Sequence, residues 1–464
     1  MLDQKLINEL KKAVGSEKVF ASKEDLVCYS YDATSFSYMP DLVVSVNNTQ
    51  EVSEVMKIAY RYEVPVVPRG GGSNLCGGTV PVKGGIILDL AKMDEIIEID
   101  IENLVAVCQP GVVTAEFQTA VEKTGLFYPP DPQSMAMSTM GGNVATNAGG
   151  PRCFKYGVTR DYLLGLEVVL ADGRIIKTGG KTIKNVSGYD LTRLFAGSEG
   201  TLGVVTEITV RLIPLPEAKR TALAIFDELE KAAEAVSGII KKKIVPTTLE
   251  LMDQETMKLI EASKPVGLPT DADSAVLIEV DGSNSDVDKQ IKQVAEVCRE
   301  FGARDIKVAE TPEDAAKLWA GRKSAFGVMA LSAPTVFTED ATVPRSLLAP
   351  MVKEIKNIAR KYELKIPVLG HTGDGNLHPI ICFDERNKDE LARVEKAIDE
   401  IFALAIKYGG TLSGEHGIGI AKQKYIPWEF GEDGLAVLQS IKDALDPKNI
   451  LNPGKVFLRS EQYA

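Results

Sequence analysis

Histidine is almost missing from this sequence: three in 464 residues, and none before position 371. Cysteine is sparse as well, six residues at positions 28, 76, 108, 153, 298 and 382 with no C-x-x-C pair among them. That excludes the usual iron–sulfur, zinc-ribbon and haem-attachment spacings and gives no sign of a disulfide framework, so a reducing cytoplasm is expected. No apolar run approaches the ~20 residues needed to cross a bilayer. The net charge of −12, with Lys241–Lys243 the only tight basic run, argues against a nucleic-acid surface. The opening MLDQKLINELKKAVG has the spacing of an amphipathic helix, and its charges interrupt anything like a signal peptide. There is neither internal repeat nor low-complexity segment. G-x-G-x-x-G with a following acidic ribose ligand is missing, as is G-x-x-x-x-G-K-[ST], which speaks against a standard NAD site or P-loop.

What is present is a soluble globular composition, 44% hydrophobic and 25% charged, in a chain long enough for two or three domains. Residues 41–49 read as a strand, 51–61 as a helix and 64–68 as a buried strand, a β-α-β unit running into the glycine-rich stretch 69–78. Further strands are expected at 86–90, 96–101, 104–109, 164–170, 175–177 and 203–212, with a second glycine-rich region at 138–150. Pro214 and Pro216 mark a boundary. From about 218 to 410, charged helices at 228–241, 285–301, 350–361 and 389–407 alternate with strands at 275–280 and 365–369, the texture of an α+β domain. The organisation expected is a first domain over 1–217, a second over 218–410, and a final segment over 411–464 of loop and turn chemistry packing back on the first.

Two features carry chemistry. In the stretch 69–78 glycines follow a buried strand, so backbone N–H groups are able to approach an anion unhindered, with Ser73 and Asn74 as side-chain donors; a flexible turn is the plainer alternative. The three histidines lie in two short motifs, Gly370-His-Thr-Gly-Asp-Gly-Asn-Leu-His378 and Ser413-Gly-Glu-His-Gly-Ile-Gly419. Imidazole suits divalent metals and proton transfer near neutral pH. His371 and His378 would lie on opposite faces of one straight strand, but Gly373-Asp-Gly-Asn376 is turn chemistry that reverses the chain and brings the rings to one point. With Glu415 as third ligand, two histidines and one carboxylate leave positions open for substrate. Glu415 as a plain cap, and Asp374 and Asn376 as mere turn formers, are the competing readings.

The series Pro68-Arg-Gly-Gly-Gly-Ser-Asn-Leu-Cys-Gly-Gly78, Pro129-Pro-Asp-Pro132, Thr139-Met-Gly-Gly-Asn-Val-Ala-Thr-Asn-Ala-Gly-Gly150 and Ala196-Gly-Ser-Glu-Gly-Thr-Leu-Gly-Val-Val205 resembles the FAD-binding series of the vanillyl-alcohol oxidase/PCMH superfamily. The two histidine motifs resemble its D-lactate dehydrogenase and glycolate oxidase FAD-subunit branch, which D-2-hydroxyglutarate dehydrogenases share. The resemblance implies a PCMH-type FAD-binding domain of two α+β subdomains plus a C-terminal α+β FAD-linked oxidase, or cap, domain. It implies that Pro68, Arg69, Gly70, Gly71, Gly72, Ser73, Asn74, Gly77 and Gly78 wrap the FAD pyrophosphate. Pro132, Ser138, Thr139, Gly142, Asn143, Ala145, Asn147, Ala148, Gly149, Glu199, Gly203, Val204 and Val205 are implied along the rest of the cofactor. Because residues 1–370 hold no histidine, an 8α-histidyl flavin there is impossible and FAD is expected non-covalently, Cys153 being a remote alternative tether.

The same resemblance makes His371, His378 and Glu415 ligands of a divalent metal (Fe, Zn or Mn) and His416 the catalytic base. Oxidation of a 2-hydroxy acid needs its carboxylate held, its hydroxyl proton removed and a hydride passed to flavin. Arg322, in a W-x-x-R element, is the implied carboxylate partner; Arg345 is a weaker choice, and for either a surface ion pair is the alternative. Two positions depart from hydroxyglutarate enzymes: Thr338 stands near where they carry a lysine, and Pro379-Ile380 where an asparagine follows the last histidine of the first motif. Fewer groups for a second carboxylate favour a small substrate, D-lactate first, with glycolate or D-2-hydroxyglutarate as alternatives and an inactive relay subunit as the contrasting class. Electrons are expected to pass to an electron-transfer flavoprotein, or to an iron–sulfur subunit.

Overall fold

A computed structural model describes residues 2–459. The chain divides into two compact units, one of residues 1–149, 158–215 and 415–464, the other of residues 150–157 and 216–414. The chain therefore leaves the first unit at 149/150, 215/216 and returns at 157/158, 414/415, whereas the sequence reading placed contiguous boundaries at 217 and 410.

The first unit is built on two main sheets, beside a short pairing of Leu126–Phe127 with Ile213–Pro214. The smaller has the order Val19–Phe20, Leu42–Ser45, Ile86–Asp89, Val66–Arg69, parallel except at the Val19–Phe20 edge. Its central strands are buried throughout, as parallel strands covered on both faces must be. The helix Thr49–Tyr62 makes the parallel crossover; the Asn48 side chain caps it by accepting from Glu51 N at 3.0 Å, and Glu63 ends it in the left-handed conformation. Leu6, Leu10, Val52, Val55 and Met56 close the core over the strand residues Leu42, Val44, Val66 and Leu88. The second sheet is antiparallel, in the order Ile96–Asp100, Val105–Cys108, Val204–Arg211, Leu163–Val169, Ile175–Gly179.

The second unit lays helices on an antiparallel sheet whose order is Asp305–Val308, Ala218–Phe226, Ser274–Gly282, Thr248–Asp253, Val368–His371, Asn376–Phe383, Thr335–Thr338, with Ala341–Thr342 also pairing Asn376–Phe383. One sheet face buries Leu223, Ile225, Met252, Ala275, Leu277 and Leu369 against Met257, Ile260, Ala325 and Met329 of two helices, Gln254–Ser263 and Pro312–Ala330. The mixed α+β class expected from the sequence holds.

Several elements were not expected. The glycine-rich stretch 138–150 contains a helix, Met140–Thr146, capped by the Thr139 side chain. Gly141 sits inside it because a Cβ there would stand 2.5 Å from Pro110 Cβ, so close packing overrides poor helix propensity. The helices Gln254–Ser263, Pro312–Ala330 and Ile426–Leu445 were also unforeseen. Among the described residues no helix is long and apolar enough to cross a membrane, and none of the six cysteines is in a disulfide.

Candidate functional site

In the first unit the strand Val66–Arg69 delivers the chain into the loop 70–78. A Cβ on Gly70 would lie 2.3 Å from Thr139 Oγ1, and one on Gly71 2.2 Å from the Met137 carbonyl oxygen. Both glycines therefore lie hard against residues 137–139, and only glycine permits that approach. Gly72 and Gly77 adopt φ of 66° and 71°, which turn the loop back on itself. Asn74 Oδ1 closes the turn by accepting from Cys76 N at 2.8 Å and Gly78 N at 2.7 Å. Pro68, Gly72, Ser73 and Asn74 are half-buried and Gly71 is exposed, leaving a narrow backbone-lined cradle. Such a cradle fits a pyrophosphate.

Other residues implied along the cofactor are turned inward. The Arg69 guanidinium is buried beneath its own loop, 3.4 Å from Thr79 Oγ1 and over the Tyr29 ring. Asn143 Nδ2 donates to Thr114 Oγ1 at 2.8 Å, and that hydroxyl is hydrogen-bonded to Ser138 Oγ at 3.0 Å. Asn147 Oδ1 accepts from Arg160 N. Val204 is core, and Gly203 is fixed by Val168, whose methyl would lie 2.5 Å from an added Cβ. Gly142 is exposed and Ala145 half-buried, whereas Pro132, Thr139, Ala148 and Gly149 are buried.

Glu199 is the clearest departure. It is buried with φ of 51°, and its carboxylate accepts from Ile418 N at 2.7 Å and Gly419 N at 2.8 Å. Burial raises its carboxyl above the ordinary glutamate value, while those two donors and the charges of Lys455 and Lys422 pull the other way. The group thus anchors the segment that follows His416. Asn74 Nδ2 reaches the His416 carbonyl at 3.4 Å, and the Cys76 carbonyl accepts from Ile420 N at 2.9 Å. His416 is mounted on the loop that forms the cradle.

Sequence reasoning also missed the support beneath this loop. Asn452 Nδ2 donates to the carbonyls of Gly78 and Glu199, both at 2.8 Å, and Lys455 Nζ to that of Val80 at 2.5 Å. Both side chains lie in the final segment, whose sequence reads as loop and turn chemistry; the cue available was an amide and an amine in the one turn Asn452-Pro-Gly-Lys455.

In the second unit, Val368–His371 and Asn376–Phe383 form the hairpin that the turn residues implied. The register pairs His371 with Asn376 and Leu369 with His378, so both imidazoles face the same side. The rings are 4–5% exposed at the side chain, edge to face, with centroids 5.0 Å apart. Asp374 Oδ1 accepts from Asn376 N, and Asn376 Oδ1 accepts from Thr342 Oγ1 at 2.9 Å, so both shape the turn.

Two buried carboxylates stand beside these rings, neither foreseen. Glu250, fully buried in the neighbouring strand, places Oε1 2.7 Å from His371 Nδ1 and Oε2 2.8 Å from Arg322 Nη2. Burial would raise its carboxyl, but the charges of His371 and Arg322 outweigh that and hold it below the ordinary value. Arg322 is therefore no surface residue: its ion pair lies inside the fold. Arg345, in contrast, is exposed and stacks over Phe154 at 4.8 Å. Asp340, also fully buried, accepts from Ser413 Oγ at 2.7 Å and lies 3.9 Å from His378 Nδ1. In sequence, one acid among Leu249, Leu251 and Met252 was the available signal. Glu415 directly follows Gly414, which packs so closely on this hairpin that a Cβ would be 2.8 Å from Asn376 Nδ2. Cys153 belongs to the second unit, the glycine-rich cradle to the first.

Comparison with known proteins matches two families. Residues 40–179 match the FAD binding domain family, and residues 215–456 match the family of FAD linked oxidases, C-terminal domain. The chain belongs to the FAD-linked oxidases. This oxidase is 50% identical over 460 residues to glycolate oxidase subunit GlcD of Bacillus subtilis (strain 168), covering 99% of its own length and 98% of the relative. It is 38% identical to a D-lactate dehydrogenase of Archaeoglobus fulgidus, with 97% and 98% covered, and 35% identical to one of Anaerostipes hadrus, with 96% of each covered. Its fold is that of the PCMH-type flavoproteins: p-cresol methylhydroxylase with substrate bound superposes with a TM-score of 0.82 at 20% identity, over 97% and 96% of the two chains. The FAD-linked oxidase is thus a flavoprotein oxidoreductase that uses FAD.

Proposed function

We propose that this oxidase is an FAD- and divalent-metal-dependent dehydrogenase of D-2-hydroxy acids, acting on D-lactate. The observation that carries the reading is the buried pair His371 and His378 on one sheet face, with a carboxylate already bound to His371 Nδ1. A histidine whose Nδ1 is engaged by a carboxylate presents Nε2 outward, the usual arrangement of a metal ligand. His371, His378 and Glu415 are the proposed ligands. A divalent ion there would polarise the substrate hydroxyl and lower its pKa, and FAD along residues 68–78 would accept the hydride.

The protein's own groups do the rest. His416, held through Asn74 and the Glu199-bound segment behind it, takes the hydroxyl proton. Arg322 pairs with the substrate carboxylate. Ile380 follows His378 by two residues on the same strand, and Thr338 pairs with Ile380 across the sheet, so the face beside His378 offers a hydroxyl and an apolar side chain. That suits a one- or two-carbon substituent better than a second carboxylate. Glycolate is the second reading, favoured by the 50% identity to a glycolate oxidase subunit. The proposed acceptor is an electron-transfer flavoprotein, with an iron–sulfur subunit as the alternative, in the cytoplasm.

Turnover of D- and L-lactate, glycolate and D-2-hydroxyglutarate with an artificial acceptor, alongside metal analysis, tests this. His416→Ala should keep FAD and metal yet lose several orders of magnitude in turnover, whereas His378→Ala should lose metal. Equal metal content in the two variants, or full activity of metal-stripped protein, would overturn the assignment.

A further inference from the structure

Nothing in the comparisons assigns a role to Glu250, and its position is unusual. It lies on the strand Thr248–Asp253, directly across from His371 in the register. Around it the sheet face is apolar: Leu223, Met252, Leu277 and Leu369 belong to one hydrophobic core. An unpaired carboxylate there would cost several kcal/mol. Its two oxygens are instead divided between two partners, Oε1 to His371 Nδ1 at 2.7 Å and Oε2 to Arg322 Nη2 at 2.8 Å.

Arg322 arrives from the helix Pro312–Ala330. One turn earlier on that helix, Trp319 Nε1 donates to Glu279 Oε2 at 2.9 Å, and Thr221 Oγ1 donates to the same oxygen at 2.9 Å. The helix is thus pinned to the sheet at two points, Glu279 and Glu250. A carboxylate serving only as a pin would need Arg322 alone. Glu250 spends its second oxygen on an imidazole, and that fixes the proton on Nδ1 and orients the ring.

We propose that Glu250 is a positioning residue shared by the metal ligand His371 and the carboxylate-binding Arg322, so that one buried side chain sets both metal affinity and substrate affinity. This rests on the reading of His371 as a ligand. Loss of Glu250 should let the imidazole rotate and exchange tautomers, and should leave the Arg322 fork without its fixed partner.

The test uses full-length, FAD-loaded protein and titrates Mn²⁺ in the absence of substrate, then measures KM and kcat for D-lactate at saturating Mn²⁺. Glu250→Gln keeps the side-chain shape; it should weaken Mn²⁺ binding ~10- to 100-fold and raise KM roughly tenfold, with flavin content close to that of the parent and a lowered Tm, since Arg322 is left buried without its anion. The double variant Glu250→Leu/Arg322→Leu removes the ion pair without leaving a lone buried charge. It too should bind Mn²⁺ weakly, because His371 has lost its acceptor. Unchanged Mn²⁺ affinity in Glu250→Gln, or a double variant with parental affinity, would show a structural ion pair only and overturn the proposal. A parent protein that binds no divalent ion would instead sink the metal reading itself, a separate outcome of the same titration.

Discussion

Glu199 offers the sharpest contrast between what the resemblance implied and what the structure does with a residue. The resemblance implies a place along the cofactor; its carboxylate instead accepts from Ile418 N and Gly419 N, at 2.7 and 2.8 Å, in a buried setting. Glu199→Gln preserves volume and one acceptor oxygen but turns an NH₂ group towards the second backbone N–H. One charge-assisted hydrogen bond is lost and a buried donor is left facing another donor, a cost of about 2–3 kcal/mol. Referred to local opening of the segment after His416, that is roughly a 30- to 150-fold rise in the open population. Amide hydrogen exchange resolved to residues 416–421 should show faster exchange by about that factor at Ile418 and Gly419. Flavin content should stay at parental levels, and turnover should fall because the proposed base is no longer held. Unchanged exchange together with loss of FAD would refute this reasoning and return Glu199 to the cofactor.

With no histidine before position 371, the flavin should appear in the supernatant after acid precipitation; yellow colour retained by the pellet would show a covalent bond of another kind. Lys455 is buried, and desolvation pushes its amine down to about 8. The folded chain therefore sheds this proton before the unfolded chain does, and stability should rise with pH from about 8 towards the ordinary lysine range. The increment is about 3 kcal/mol at most, and denaturant unfolding of Lys455→Met should lack it; an identical pH slope in both proteins would count against a buried, charged Lys455.

The central strands of the first unit were legible because buried runs such as 42–45, 86–89 and 204–211 are dense in β-branched and aliphatic residues, whereas Ala218–Phe226 and Thr248–Asp253 of the second unit were not. The histidine hairpin was legible from its turn residues. The helix Met140–Thr146 was not, since Gly141 and Gly142 argue against a helix until the contact with Pro110 is known. Arg322 was found by motif, but its surroundings were not, because its partner Glu250 lies 72 positions earlier and only strand register brings the two together. The same holds for Glu199 and residues 418–419. Chemistry assembled across distant segments leaves single residues as clues and no local pattern to count.

The excursion of residues 150–157 has a consequence for how the polypeptide behaves when cut. Phe154 lies against Gly373 in the histidine turn, whose added Cβ would be 2.7 Å away, and Tyr156 donates to the Asp281 carboxylate at 2.9 Å, beside Lys155. The second unit therefore includes a short stitch borrowed from the middle of the first unit's sequence. A protease that nicks the chain at 215/216 leaves three other covalent passages between the units intact. No single scission can set either unit free, and residues 216–414 made alone would lack the strip that Gly373 and Asp281 are shaped to receive.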